Sequence, residues 1–266
     1  MAAWRVTLLT FDFMLNAFGA GTVVAVVAGV VGYMLVLRSQ AFAGHALAHM
    51  GFTGATGAAL LGVSPFLGTL AATVAGGIGI GLLGQRETGR DVAVGMVLSL
   101  SLGLGLLFLH YTAQASGAAG LLFGNILGVD ADTLWAMLAL GILSLGALAI
   151  IARPLLFASL QPELAEAQGV PMQLVSVLFL VIAAVAVALA VQVVGVLLVF
   201  ALLVGPAAAA QLWTGRPGRG MALSAGLALA QTWAALALSW VTDWPVSVWI
   251  TASGAAAYLL AVLARR

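Results

Sequence analysis

The sequence predicts an all-α fold, a polytopic transmembrane helical bundle of about eight or nine spans with a short cytoplasmic helix. Of its 266 residues, 64% are hydrophobic and 6% are charged, and the mean hydropathy is +1.20. A soluble domain carries roughly 25% charged residues, so this chain cannot cover itself with a water-compatible surface. Its apolar residues also fall in stretches of about 20, the length of a membrane-spanning helix. We therefore treat residues 1–266 as a single transmembrane domain in contact with the lipid bilayer.

Nine apolar segments are the candidate spans. They are residues 11–37, 41–61, 66–84, 92–110, 133–152, 174–191, 196–213, 221–241 and 246–263. The second is weaker because it carries two histidines, and Gly205 and Pro206 are expected to kink or unwind the seventh. Residues 111–132 are too broken to span, so we expect them to lie at the interface or to re-enter the membrane.

The arginines predict the orientation, because basic residues favour the cytoplasmic side of a membrane protein. All nine basic residues of the chain are arginines. With nine spans and a cytoplasmic C-terminus, every arginine except Arg5 falls inside. The N-terminus then lies outside by parity, and a change of one in the span count would reverse that assignment.

Several classes of function are excluded by composition and motif. There are no cysteines, so a disulfide framework, a thiolate metal site and a cysteine nucleophile are all ruled out. The net charge of +1 and the scattered arginines do not indicate nucleic-acid binding. The sequence holds no phosphate-cradling loop and no catalytic Ser/His/Asp or paired-carboxylate pattern. We therefore predict that the chain is not an enzyme, and that any ATP hydrolysis takes place in a separate subunit.

His45 and His49 are the first candidate site. Four residues apart in a helix, they lie on one face, and two imidazoles at this spacing can converge on one transition-metal ion. The alternative is a pair of packing histidines bonded to nearby carbonyls. We favour metal contact, because polar side chains at membrane depth are costly unless they line a path or meet a partner. Met50 points about 100° away from His49 and is less suited to share the site. His110 reads as an interfacial histidine without an assigned role.

Asp243 is the second candidate, in the TDWP turn between the last two segments. A carboxylate that caps the turn before Pro245 is the simpler interpretation. The functional alternative is an acidic group at the outer mouth of a pathway, where it would attract a cation. Asp12, Asp130 and Asp132 fall on the same side, which is consistent with a cation pathway.

The cytoplasmic connection of residues 157–172 contains the third candidate, QPELAEAQGVP, which predicts a short helix. Pro162 suits the first helical position, Glu163 suits the positive end of the helix, and Gly169 suits a left-handed cap. Pro171 prevents continuation. Such a helix is either a docking site for another protein or a solvated linker.

Taken in order, five stretches resemble the membrane permease subunits of bacterial zinc/manganese ATP-binding-cassette (ABC) importers. They are VLRSQAFAGHALAHMGFTG, LLFGNILGV, QPELAEAQGVP, VQVVGVLLVFALLVGPAAAAQL and TDWPVS. The resemblance implies a multi-pass protein of the bacterial cytoplasmic (inner) membrane that works as a homodimer. It implies two cytoplasmic ATPase subunits, an extracytoplasmic metal-binding protein and no permanently bound cofactor. It also makes the short cytoplasmic helix the ATPase-coupling element, with Pro162, Glu163, Leu164, Glu166 and Gly169 as its residues.

Three positions depart from the pattern of that family. His45 stands where the family has Asp, Ser247 where it has Gly, and Gln211 where it has Arg. An imidazole in place of a carboxylate favours a borderline metal such as zinc over the harder manganese. The sequence therefore predicts the transmembrane subunit of an ATP-driven importer of a divalent transition metal, with zinc favoured and with metal contacts at His45, His49 and Asp243. A manganese or iron importer of the same family, or an ATPase-independent secondary transporter or channel, is the alternative.

Overall fold

The structure, a computed structural model, describes residues 11–83, 87–112 and 120–264. Over these residues the chain is helical, as the sequence predicts, and the all-α fold class is confirmed. A helical turn at residues 120–123 and a 3-10 helix at Ile126–Gly128 precede the fifth long helix. The α-helices are α1 (Asp12–Leu37), α2 (Ala41–Leu60), α3 (Pro65–Leu82), α4 (Glu87–Tyr111), α5 (Ala131–Leu160), α6 (Pro162–Ala167), α7 (Met172–Val194), α8 (Val199–Trp213), α9 (Pro217–Thr242) and α10 (Val246–Ala264).

Each of the nine apolar segments corresponds to one of these helices. Seven helices of the described chain are long and apolar enough to cross a membrane: α1, α3, α4, α5, α7, α9 and α10. The other two are α2, whose histidines lower its hydropathy, and α8, which has only 15 residues. Arg5, Arg86, Arg265 and Arg266, together with residues 113–119 of the predicted re-entrant stretch, lie outside the described residues. The orientation of the bundle stays a prediction.

The fifth helix is longer than the sequence predicts. We expected a polar connection from Arg153, but α5 runs on through Pro154 to Leu160. A proline removes only one backbone donor from the helical ladder, and Leu155 immediately after it is fully buried in the core. Since α6 begins at Pro162, only Gln161 separates the two helices. The predicted cytoplasmic segment of residues 157–172 therefore starts within the last turn of α5.

Helices α1 and α7 form the centre of the bundle. Within the 18-residue apolar stretch of each helix, 72% of the residues are buried in α7 and 67% in α1. The corresponding shares are 17% in α4 and 22% in α5. Small residues let neighbouring backbones approach closely, as is common between helices in lipid. A Cβ added to Gly29 of α1 would lie 2.5 Å from the Cα of Ala225 in α9. Gly54 of α2 and Gly68 of α3 meet in the same way, backbone against backbone, and this contact fixes the helix that carries the two histidines.

Candidate metal pathway

The His45 and His49 rings lie together on one face of α2, as their spacing predicts. Their ring centroids are 4.8 Å apart and the rings are nearly perpendicular. His49 is only 6% exposed, whereas His45 is half-buried. Both Nδ1 atoms are buried, and neither has a hydrogen-bond partner among the described residues. A buried nitrogen without a partner is costly, so this face suits a ligand that these nitrogens can bind.

No third His, Asp or Glu of the described residues joins the two histidines. Within the described ranges no group of three or more His, Asp or Glu residues comes together. Met50 turns away, because its sulfur packs against Gly76 of α3, in agreement with its predicted direction. The pair alone would hold a metal ion loosely, with water or carbonyl oxygens completing the coordination. Loose binding suits a transport path, since the ion must also leave.

Phe200 of α8 packs against His45, and sequence reasoning did not single it out. Its ring lies edge-to-face with His45 at a centroid distance of 5.7 Å, and the side chain is 42% exposed. The two residues belong to helices far apart in sequence, so no local pattern could have indicated this contact.

Phe200 lies in the first turn of α8, just after an interruption between α7 and α8. Gly195 has φ 80° and ψ 162°, a conformation that ends α7, and the helix resumes only at Val199. This break lies where the sequence predicts it, between the apolar segments 174–191 and 196–213. We also expected Gly205 and Pro206 to kink or unwind the second of these segments, but α8 continues as a helix through Pro206. Gly195 ends its helix because it has a positive φ, whereas Pro206 only removes one backbone donor.

Residues 121–125 pair with this interruption. Val196 and Leu197 donate backbone hydrogen bonds to the carbonyls of Leu121 and Leu122, both at 3.2 Å. In return the Asn125 N–H donates to the carbonyl of Gln192 at 3.3 Å. Backbone groups freed from the helical ladder are thereby satisfied, as they must be inside a membrane. The sequence predicts that residues 111–132 lie at the interface or re-enter the membrane. Part of this stretch, residues 121–125, thus contacts the interruption between α7 and α8.

Asp243 lines a cavity of about 540 Å³ with Asn125, Val193 and Ser247 among its other walls. The residue also ends α9 in a left-handed conformation, φ 57° and ψ 20°, and its N–H donates to the Ser239 carbonyl at 2.9 Å. Asp243 therefore forms the predicted turn and also lines a cavity, and its role at the mouth of a cation pathway stays a prediction. His45 and His49 do not line this cavity, so the structure does not bring Asp243 together with the histidine pair.

Helix α6 has the caps that the sequence predicts. Pro162 occupies its first turn beside Glu163, and Gly169 has φ 80°. The Gly169 N–H donates to the Glu166 carbonyl at 2.9 Å. One face is buried through Ala165, which has no exposed surface, while Glu163, Leu164 and Glu166 are all exposed. The helix therefore presents an acidic face with one apolar side chain.

Comparisons with known proteins agree over almost the whole chain. The family model described as the ABC 3 transport family matches residues 10–265. The manganese transport system membrane protein MntC of Halalkalibacterium halodurans is 32% identical over 213 residues, which is 79% of this chain and 72% of the relative. MntC of Listeria innocua is 28% identical over 257 residues, which is 96% of this chain and 89% of the relative. The solved structure of PsaBC from Streptococcus pneumoniae in complex with Fab has a TM-score of 0.87 at 27% identity and covers 97% of this chain and 94% of that one.

Proposed function

Because this chain belongs to the ABC 3 transport family and is the membrane permease of a metal ABC importer, we propose that its cargo passes the face of α2 formed by His45 and His49. It is a multi-pass protein of the bacterial inner membrane and a transport subunit, not an enzyme. The observation that carries the proposal is the pair of buried Nδ1 atoms, on rings 4.8 Å apart, for which the described residues offer no hydrogen-bond partner. Membership of this family excludes the alternative of an ATPase-independent secondary transporter or channel.

Zinc is the cargo that the side chains favour. Two imidazoles that are joined by no third His, Asp or Glu among the described residues form a nitrogen donor set, which suits zinc better than manganese. The second candidate is manganese, and it is favoured by the relatives, since both MntC proteins are named as manganese transport proteins. The two candidates differ in what they require of His45, because manganese prefers the oxygen ligand that this position lacks. No bound cofactor is proposed; the metal ion is the substrate.

Asp243 belongs to the same pathway as an outer contact. Its carboxylate lines the cavity of about 540 Å³, whose other walls include Val193, two residues before the helix break. A negative charge at this mouth raises the local concentration of cations before they reach the histidines. In this proposal Asp243 attracts the ion, and His45 with His49 binds it next.

Membership of the family supports a set of proposed partners. Two cytoplasmic ATPase subunits drive the cycle, an extracytoplasmic metal-binding protein delivers the ion, and a second copy of the permease completes the assembly. Within this chain, α6 is the coupling element: its exposed Glu163, Leu164 and Glu166 form the surface that an ATPase would grip. Pro162 and Gly169 supply the caps that hold this short helix in shape.

The test of the pathway is metal uptake into liposomes that contain the permease with its co-expressed ATPase and binding protein. Zinc, manganese, iron and copper are offered to the parent and to His45→Ala and His49→Ala variants. The matched control is His110→Ala, which removes the exposed histidine in the last turn of α4. We expect ATP-dependent zinc uptake in the parent and the control, and its loss in both α2 variants while they still assemble. Unchanged uptake in both would refute the histidine pathway, and uptake of manganese without zinc would refute the proposed cargo.

The coupling role of α6 has its own test. A Glu163→Ala/Glu166→Ala double variant should keep assembly but lose the link between ATP hydrolysis and uptake. Gln168→Ala, which changes an exposed residue at the end of the same helix, is the control. Undiminished uptake per ATP in the double variant would contradict the proposal that this acidic face docks on the ATPase.

A further inference from the structure

The turn between α1 and α2 is held in one conformation by its own backbone. Arg38 ends α1, and Ser39 takes a left-handed φ of 54°, which is uncommon for a residue with a side chain. The Gln40 N–H donates to the Leu35 carbonyl at 2.8 Å and closes the turn. Helix α2 then begins at Ala41, so a displacement of Arg38 is passed directly to the helix that carries the histidines.

Arg38 connects this turn to two other helices. Its Nη1 donates a hydrogen bond to the Ser159 Oγ of α5 at 2.9 Å. The Ser159 hydroxyl itself donates to the Leu155 carbonyl one turn earlier, so its oxygen is free to accept from the guanidinium. The Arg38 Cζ also lies 5.6 Å from the centre of the buried Phe179 ring of α7, a cation–π arrangement. Both contacts are directional, because the guanidinium is planar and rigid.

Ser159 stands at the point where α5 passes into α6. It is the next-to-last residue of α5, and Gln161 serves both as the C-cap of α5 and as the N-cap of α6. One linking residue leaves little slack, and Ala165 of α6 is fully buried. A shift of α6 must therefore displace the end of α5, together with the hydroxyl that Arg38 holds.

We propose that Arg38 is a positioning residue that transmits movement of the cytoplasmic helix α6 through Ser159 to α2 and so to the His45–His49 face. This inference rests on the proposed role of α6 as the ATPase-coupling element. In its simplest form the path has four rigid parts: α6, the end of α5, the closed turn at residues 38–40, and α2. The Arg38–Ser159 hydrogen bond joins the end of α5 to the closed turn without a covalent link, so substitutions at these two residues can interrupt the path.

The test compares metal ions imported per ATP hydrolysed in liposomes with the co-expressed ATPase and binding protein. The variants are Arg38→Gln and Ser159→Ala. The controls are Arg153→Gln, an exposed arginine of α5, and Ser99→Ala, an exposed serine whose hydroxyl donates only within its own helix, to the Gly95 carbonyl. We expect ATP hydrolysis to continue in both variants while uptake per ATP falls about fivefold or more. The controls should match the parent.

Three further results separate transmission from a merely structural role. Arg38→Lys, which keeps a donor and a positive charge, should restore part of the uptake per ATP. The Arg38→Gln/Ser159→Ala double variant should be no worse than the more affected single variant, since both remove one contact. Because the chain has no cysteine, Phe42→Cys on α2 and Gln168→Cys beyond α6 can carry spin labels. The distance between them should change on nucleotide binding in the parent and not in Ser159→Ala.

The inference and the proposed function fail in different ways. If Arg38→Gln and Ser159→Ala import as many ions per ATP as the parent, and the label distance still changes, the inference is overturned. If the Glu163→Ala/Glu166→Ala variant is uncoupled in the same experiment, the coupling role of α6 stands without it. If that double variant is also fully coupled, the proposed function of α6 fails as well.

Discussion

Gly124 and Gly195 face each other across the interruption between α7 and α8, each with φ 80°. A Cβ added to Gly124 would lie 2.7 Å from the Gly195 nitrogen, and one added to Gly195 would collide with the Gly124 backbone. Only two residues without side chains can meet here in that conformation. The contact joins residues 121–125 to the interruption between α7 and α8 and so fixes where α8 begins.

Gly195→Ala and Gly124→Ala should each destabilise the permease. The left-handed φ alone costs a residue with a side chain about 1–3 kcal/mol, and the added methyl must push the facing backbone away. Thermal unfolding of the purified protein in detergent measures the loss. Gly103→Ala is the control, because nothing lies within 4 Å of a Cβ added there and alanine favours a helix. Equal stability of Gly195→Ala and Gly103→Ala would contradict this account.

Phe200→Ala should make the permease leak. The ring centroids of Phe200 and His45 lie 5.7 Å apart, so removal of the phenyl ring should make the histidine face more accessible while no ATP is hydrolysed. Efflux of metal from loaded liposomes without ATP measures the leak, and a several-fold rise is expected. Phe42→Ala is the matched control, since Phe42 is 41% exposed and Phe200 42%. A leak of equal size in both variants would point to general loosening of the bundle.

His45→Asp should change the metal preference. The substitution replaces a nitrogen ligand by a carboxylate, which manganese prefers and which serves zinc less selectively. The ratio of zinc to manganese uptake should fall by about tenfold, or about 1.4 kcal/mol of relative affinity. Competition between the two ions in the liposome assay measures it, with His110→Asp as the control. A ratio that stays at the parental value would show that His45 does not select the metal.

Asp243→Asn should weaken uptake only at low metal concentration. Asparagine tolerates the left-handed conformation at this position, so the turn is kept and only the charge is lost. An exposed charge contributes about two- to fivefold in apparent affinity, and the effect should shrink as salt is added. Asp132→Asn, which neutralises an exposed acid in the first turn of α5, is the comparison. A reduced maximal rate at saturating metal would instead indicate that Asp243 takes part in the transport step.

Asp130 should make the start of α5 sensitive to acid. The Thr133 side chain and backbone N–H donate hydrogen bonds to the Asp130 carboxylate, and these hold its pKa below the usual value; the N–H distance is 2.9 Å. A lowered pKa means that the ionised form stabilises the folded state. That stabilisation is present above the unfolded pKa of about 3.9 and is lost as the pH falls through the lower folded value.

The measurement is the melting temperature of parent and Asp130→Ala between pH 7 and acid. The variant should melt lower at pH 7, and the difference should vanish at the acid end of the series. Asp132→Ala removes a carboxylate from the same turn and keeps the cap, so it is the control. A difference between parent and Asp130→Ala that persists at all pH values would mean that the charge of Asp130 plays no part.

The sequence by itself determined the features that depend on neighbouring residues. The nine helices follow from the length of their apolar stretches, the common face of His45 and His49 follows from four-residue spacing, and the shape of α6 follows from its caps at Pro162 and Gly169. Each is a relationship within one or two helical turns, where backbone geometry leaves few choices. Two local expectations failed, both at a proline: α5 continues past Pro154, where burial of Leu155 outweighed the proline, and α8 continues through Pro206.

Only the tertiary structure decided which distant residues meet. Phe200 over His45, Gly124 against Gly195, and Arg38 bonded to Ser159 join different helices, and the last pair is 121 residues apart. Such contacts depend on helix order, crossing and depth, which hydropathy does not encode, because an apolar helix is equally stable in lipid against many neighbours. The local pattern thus indicated which residues could bind a metal. Helix packing decided that Phe200 contacts His45 and that Arg38 bonds to Ser159.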